Sequence, residues 1–115
     1  MYEALSHDQN FLYALKAKET KRQYPTRLDR FISFLGIQGT IEEKFFKLHQ
    51  LSRSISIDLL ESHLIRFINF QKSRIENREI AEGTLHNYIN AIKLFFAMND
   101  IIINWKKISK GIPQE

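Results

Sequence analysis

Thr20-Lys-Arg-Gln-Tyr24 and Thr84-Leu-His-Asn-Tyr88 each set a threonine four residues ahead of a tyrosine. An apolar stripe follows at matching offsets: Leu28, Phe31 and Ile32 after the first, Ile92, Phe95 and Phe96 after the second. The chemistry open to such residues is the holding of phosphate. A threonine at a helix start presents a hydroxyl beside the free N–H groups of the first turn, where the helix dipole favours an anion. Lys21, Arg22 and Gln23 crowd the first threonine, and His86 and Asn87 the second, so further donors stand ready.

Residues suited to catalysis are sparse by comparison. His63-Leu-Ile-Arg66 is a bare His-x-x-Arg on an apolar-flanked helix, and a satisfied or exposed histidine explains it. The four histidines, at 7, 49, 63 and 86, are scattered, and none pairs with another at helical spacing, so no metal site is expected. A glycine-rich phosphate loop and a Gly-x-Ser-x-Gly elbow are both missing from the sequence. Glu42, Glu43, Glu76, Glu79 and Glu82 fall at helix starts or in a polar loop, where capping and solubility account for them. By itself the chain reads as a non-enzyme that needs no cofactor.

The elements that must position the threonines are helical. Apolar residues recur at helical spacing nearly throughout, without a run of strict alternation, which predicts an all-α domain, a compact bundle of four to five helices. At 115 residues and 43% apolar, the chain has room for one domain with one core. A short helix is expected at about 7–17, with Phe11, Leu12 and Leu15 on one side. A second runs from near Thr20 to Leu35 and stops at Gly36; Pro25 either delays its start to Tyr24 or bends it. Thr40-Ile-Glu-Glu43 is a capping box opening a third helix through about Leu51. Ser54 or Ser56 caps a fourth over 57–77, with Leu60, Leu64, Phe67, Ile68 and Gln71 inward. Thr84 starts a fifth that ends near Asn99, and Asn104 caps a last turn before Gly111-Ile-Pro113.

On the fifth helix Leu85, Tyr88, Ile89, Ile92, Phe95 and Phe96 make the core face. His86, Asn90, Lys93 and Ala97 make a separate stripe, with Asn87 beside it: amides and imidazole for base edges, lysine for phosphate, alanine for close approach. Leu94 points away from that core, towards another helix or subunit. On the second helix Tyr24, Leu28, Phe31, Ile32 and Leu35 face inward. Arg22, Thr26, Arg30 and Ser33 face outward, with Lys21, Gln23 and Arg27 nearby. Trp105 reads as an anchor of the last turn, and Lys106, Lys107 and Lys110 as a small basic tail.

Charge follows the same division. The net charge is +4, with a pI near 9.4. Residues 1–39 hold six basic and four acidic side chains, 84–115 hold four and two, and 40–83 hold seven of each. The entire excess therefore lies in the two segments with Thr-x-x-x-Tyr, which points to a polyanionic partner. Zero cysteines exclude disulfides and thiolate zinc sites. No apolar run approaches the ~20 residues needed to span a bilayer, and Met1-Tyr-Glu-Ala-Leu-Ser-His-Asp lacks the form of a signal peptide. The expected location is cytoplasmic, on the nucleoid, away from membranes.

Thr20-x-x-x-Tyr24-x-x-x-Leu28-x-x-Phe31-x-x-Phe34-Leu35, then a capped helix pair, then Thr84-x-x-x-Tyr88-x-x-Ala91-Ile92-x-x-Phe95-Phe96, resembles the N-terminal core-binding (SAM-like) domain of tyrosine recombinases, the phage-integrase family. Tyr24-Pro-x-Arg27-Leu28 and Asn104-Trp105-x-Lys107-Ile108 look most like archaeal integrases, and the similarity covers about 7–113. The resemblance implies a core-binding domain over 1–113, with 111–115 beginning a linker to a catalytic domain. It implies that the helices beginning near Thr20 and Thr84 face duplex DNA, through Thr20, Arg22, Gln23 and Thr26 on one and Thr84, His86, Asn87 and Asn90 on the other. Lys21, Arg30 and Lys93 join them from the face analysis. The family's arginines, His-x-x-Arg box and tyrosine nucleophile belong to the other domain. The expected partners are double-stranded DNA, the catalytic domain of the same recombinase, and copies of itself in a tetramer on DNA. The alternative is a helical protein-interaction domain that docks through exposed Phe34, Phe70 or Leu94.

Overall fold

The computed structural model describes residues 18–113, with side chains from Gln23 onward. The helix expected at about 7–17 lies outside the described residues. Five helices follow in order: α1 (Lys18–Phe34), α2 (Ile41–Ser54), α3 (Ile57–Glu76), α4 (Glu82–Met98) and α5 (Trp105–Ser109). Among the described residues there is no strand, as the periodicity predicts.

Local chemistry sets most of the boundaries. Gly36 takes φ of 81°, which lets the Ile37 amide turn back to the carbonyl of Ile32 at 3.3 Å and closes α1. The Thr40 hydroxyl accepts from the Glu43 amide at 3.2 Å while the Glu43 carboxylate accepts from the Thr40 amide at 3.0 Å. That reciprocal pair opens α2 and holds the Glu43 carboxyl below its ordinary pKa. Ser56, rather than Ser54, caps α3 through the Leu59 amide at 3.1 Å, and Asn104 caps α5 through that of Lys107.

Both threonine starts need correction. Lys18 and Glu19 are already helical, so Thr20 lies inside α1, and the helix carries on through Pro25, whose missing N–H leaves the Lys21 carbonyl without its helical donor. Helix α4 begins at Glu82, two residues before Thr84, and its N-cap Ala81 has no side-chain acceptor. The Thr84 amide already bonds the Ala81 carbonyl at 3.0 Å, so the threonine is a first-turn residue and no cap. Glu82 supplies the negative charge that this helix start favours.

The core forms where α1 and α4 pack along each other, with α2 against α1 and α3 against α4. Phe31 meets Phe67 edge-on at 5.3 Å, and Phe45 meets Phe95 edge-on at 5.6 Å, so aromatic contacts lock both outer helices to the central pair. The predicted inward faces of α3 and α4 are buried throughout.

One buried charge fixes the short C-terminal helix. Glu61 on α3 is only 4% exposed, and its carboxylate accepts from Lys107 Nζ at 2.9 Å and from the Asn104 amide at 3.1 Å. These two bonds tie α5 to α3 and thereby place Trp105. The Lys107 ammonium and the Asn104 amide hold the Glu61 carboxyl below its usual range, and Glu61 holds Lys107 above its own. The stabilisation is complete between about pH 5 and pH 10; it falls as acid titrates Glu61 through its lowered value, or as base titrates Lys107 through its raised one. Glu61→Ala is expected to cost about 2 kcal/mol in a neutral-pH denaturant titration. The variant should also lose stability less steeply than the parent between neutral and acid pH. Equal acid slopes in the two proteins would refute the assignment.

Candidate nucleic-acid interface

Two side chains of α4, Asn90 and Lys93, stand between two clefts. The smaller, about 120 Å³, is lined by His86, Ile89, Asn90, Lys93, Trp105, Ser109 and Ile112. The larger, about 400 Å³ and open to solvent, is lined by Tyr24 of α1, by Asn90, Lys93, Leu94 and Ala97 of α4, and by Trp105 of α5. Ala97 and Leu94 make its floor apolar, and aromatic rings come from helices α1 and α5.

Each of those rings carries a cation. Lys93 Nζ lies over the Trp105 ring, 5.7 Å from its centroid, and Arg27 Cζ lies over the Tyr24 ring at 5.5 Å. Arg27 also donates to the Gln23 side chain, one turn back on α1. Among the described residues neither cation has a carboxylate partner, and neither do Arg30, Lys106 and Lys110. Carboxylates reach only some of the other cations: Lys44 pairs with Asp29 at 2.8 Å, Lys107 with Glu61 and Arg74 with Glu79, while Lys47, Arg53, Arg66, Lys72 and Arg78 have no carboxylate partner among the described residues. What sets the two clefts apart is their lining: among the described residues no acidic side chain lines either of them.

No family model, curated protein or solved structure matches the chain.

The residues predicted to bind are only partly brought together, and Thr84 is a half-buried first-turn residue of α4 that lines neither cleft. Asn90 and Lys93 come together at the clefts; Asn87 is exposed one turn back, as is Thr26 on α1. Arg30 is exposed on α1 but lines neither cleft, and Gln23 is half-buried under Arg27. Of Thr20, Lys21 and Arg22 only the place on α1 is described. His86 departs most from expectation. Its Nε2 lies 2.8 Å from the Pro113 carbonyl, an acceptor, so the ring nitrogen donates there and holds the C-terminal segment down with Ile112 buried. A histidine bonded in this way is not open to a base edge while the tail is in place. Ser33, expected to face outward, is exposed but accepts from Lys44 Nζ at 3.4 Å.

Tyr24, Arg27, Leu94 and Trp105 were not among the expected contacts. The sequence pattern sends Tyr24 to the core and Trp105 to an anchoring role, and each is half-buried, with a ring left over to form a cleft wall. A usable signal was present: Arg27 stands three residues after Tyr24, a spacing at which a guanidinium reaches the ring on the same helix face. Leu94, expected to point away from the core, is instead half-buried and packed against it, and lines the larger cleft together with Tyr24.

Proposed function

We propose that the chain is a DNA-binding module that grips duplex DNA through the outer sides of α1 and α4, and that it serves a site-specific recombinase of the tyrosine type as its core-binding domain. The observation that carries DNA binding is a pair of cations, Arg27 and Lys93, that have no carboxylate partner among the described residues and lie over two aromatic rings of a cleft whose described lining holds no acid. Cations of this kind are already ordered and partly desolvated, so transfer to a phosphate costs little conformational entropy. Asn87 and Asn90 supply amides at the same surface, able to donate and accept at base edges.

The recombinase assignment rests on the sequence pattern, which the helix order and the buried core faces accommodate. In that reading the bond-breaking chemistry belongs to a catalytic domain beyond this one. His63 takes no part; Arg66 Nη1 approaches its Nδ1 at 3.4 Å on the outer side of α3.

Phosphate contacts should dominate the affinity. With ~4–6 of them, log K for a duplex should fall against log salt with a slope of about −4 to −5. Fluorescence anisotropy of a labelled duplex across a salt series gives the slope directly. No binding at low salt, or binding indifferent to salt, would refute the proposal.

A further inference from the structure

The larger cleft has a shape and lining that a paired duplex does not use. Bases inside a duplex present only their edges, and an exposed helix stripe suffices to read those. The cleft instead offers two aromatic rings, an apolar floor of Leu94 and Ala97, and a single amide, Asn90, at its side. Its volume is about 400 Å³ and it is open to solvent, so a flat ring laid in it keeps one side exposed. Flat, apolar-faced and able to pair with an amide through its edge, an unstacked nucleobase matches each of these features. Its own phosphates supply the anion for the two cations.

We infer that this cleft takes one nucleobase swung out of the DNA stack, its ring laid against Trp105, its edge towards Asn90 and its flanking phosphates on Lys93 and Arg27. The inference rests on the DNA-binding reading and adds to it the form of DNA preferred. Lys93 now covers a face of the indole. When the base arrives, the ammonium exchanges the ring for a phosphate, so a stacking interaction is gained without stranding a charge. Swinging a base out of a paired duplex costs a few kcal/mol. DNA in which one base is already unpaired should therefore bind more tightly than the same duplex fully paired.

Trp105 is the only tryptophan in the sequence, so indole emission comes from one position, on the walls of both clefts. The probes are a duplex with one extrahelical thymidine and the same duplex without it. The bulged duplex is expected to bind about five- to a hundredfold more tightly, the range of one base–aromatic stack, and to quench Trp105 emission more deeply. Trp105→Leu should remove that advantage, so that the bulged and the paired duplex bind it alike, and Trp105→Phe should restore part of the difference. Because Trp105 also packs on the core, wild-type quenching provides a readout independent of any variant. Equal affinity and equal quenching for the two duplexes would overturn the inference and leave the DNA-binding reading intact. Failure of both duplexes to bind at low salt would overturn the two together.

Discussion

Phe95→Ala should lower the stability of the domain by about 3–5 kcal/mol, the usual cost of emptying a fully buried phenyl site. A chain of this size is expected to have ~6–17 kcal/mol in all, so the variant gives up a large share of it. Phe95 is fully buried on α4, where it meets Phe45 of α2 at 5.6 Å and Phe96 at 6.0 Å. Truncation therefore removes apolar burial and two ring contacts, of which the edge-on pair with Phe45 adds about 0.5–1.5 kcal/mol beyond its area. It strikes where α2 is held to the central helix pair, so the surroundings cannot close over the gap without shifting that helix. Thermal unfolding followed by far-UV circular dichroism should show a midpoint about 10–25 °C lower. Phe46→Ala is the contrasting variant: Phe46 is 50% exposed on the same helix as Phe45, and its loss should cost about 1 kcal/mol or less. Similar losses in the two variants would contradict the core described here.

The features legible in the sequence were those written in local chemistry. Thr40 with Glu43, Ser56 before an apolar run, Asn104 three residues before Lys107, and Gly36 after an amphipathic stretch each mark a boundary by short-range hydrogen bonding, and the structure uses all four. Thr84 misled because its spacing from Tyr88 imitates a cap, whereas α4 starts earlier on Ala81, a residue with no polar side chain to signal it. Two more turns hide for a related reason: Arg78 and Asp100 take φ of 61° and 59°, positions where glycine would have announced the stop.

The site was legible only in part, because what makes it depends on how distant segments meet. Asn90 and Lys93 could be found from the α4 face alone. Tyr24 and Trp105 could not, since a half-buried aromatic carries the same periodic signature as a buried one. Only the approach of α1 and α5 to α4 leaves their rings at a cleft. Glu61 shows the same limit. It follows Leu60 on the inward side of α3, and the lysine that neutralises it lies 46 residues further on, across the bundle. His86 reads as a free donor until the C-terminal segment is seen to fold back upon it.

Reversing the charge of the two stacked cations is expected to weaken DNA binding more than any other surface change. In Arg27→Glu/Lys93→Glu, two phosphate contacts disappear and two repulsions replace them. At about 0.1 M salt, two lost contacts alone correspond to roughly a 50- to 100-fold loss of affinity, and the slope of log K against log salt should flatten by about two units. Both effects share one cause, the release of counterions from neutralised phosphates, so they must appear together. The fold should tolerate the change, because neither side chain has a carboxylate partner to strand among the described residues. Each gives up a cation–π contact of about 0.5–1 kcal/mol, and Arg27 also its hydrogen bond to Gln23. Arg66→Glu/Lys72→Glu makes the identical change in net charge on α3, outside both clefts. If the positive potential of the whole molecule were responsible, the two double variants would weaken binding alike. A local interface on α1 and α4 requires the first to flatten its salt slope by about two units and the second to keep most of its own. Anisotropy titrations of both variants across the same salt series separate the two cases, and matching slopes would place the DNA somewhere other than this surface.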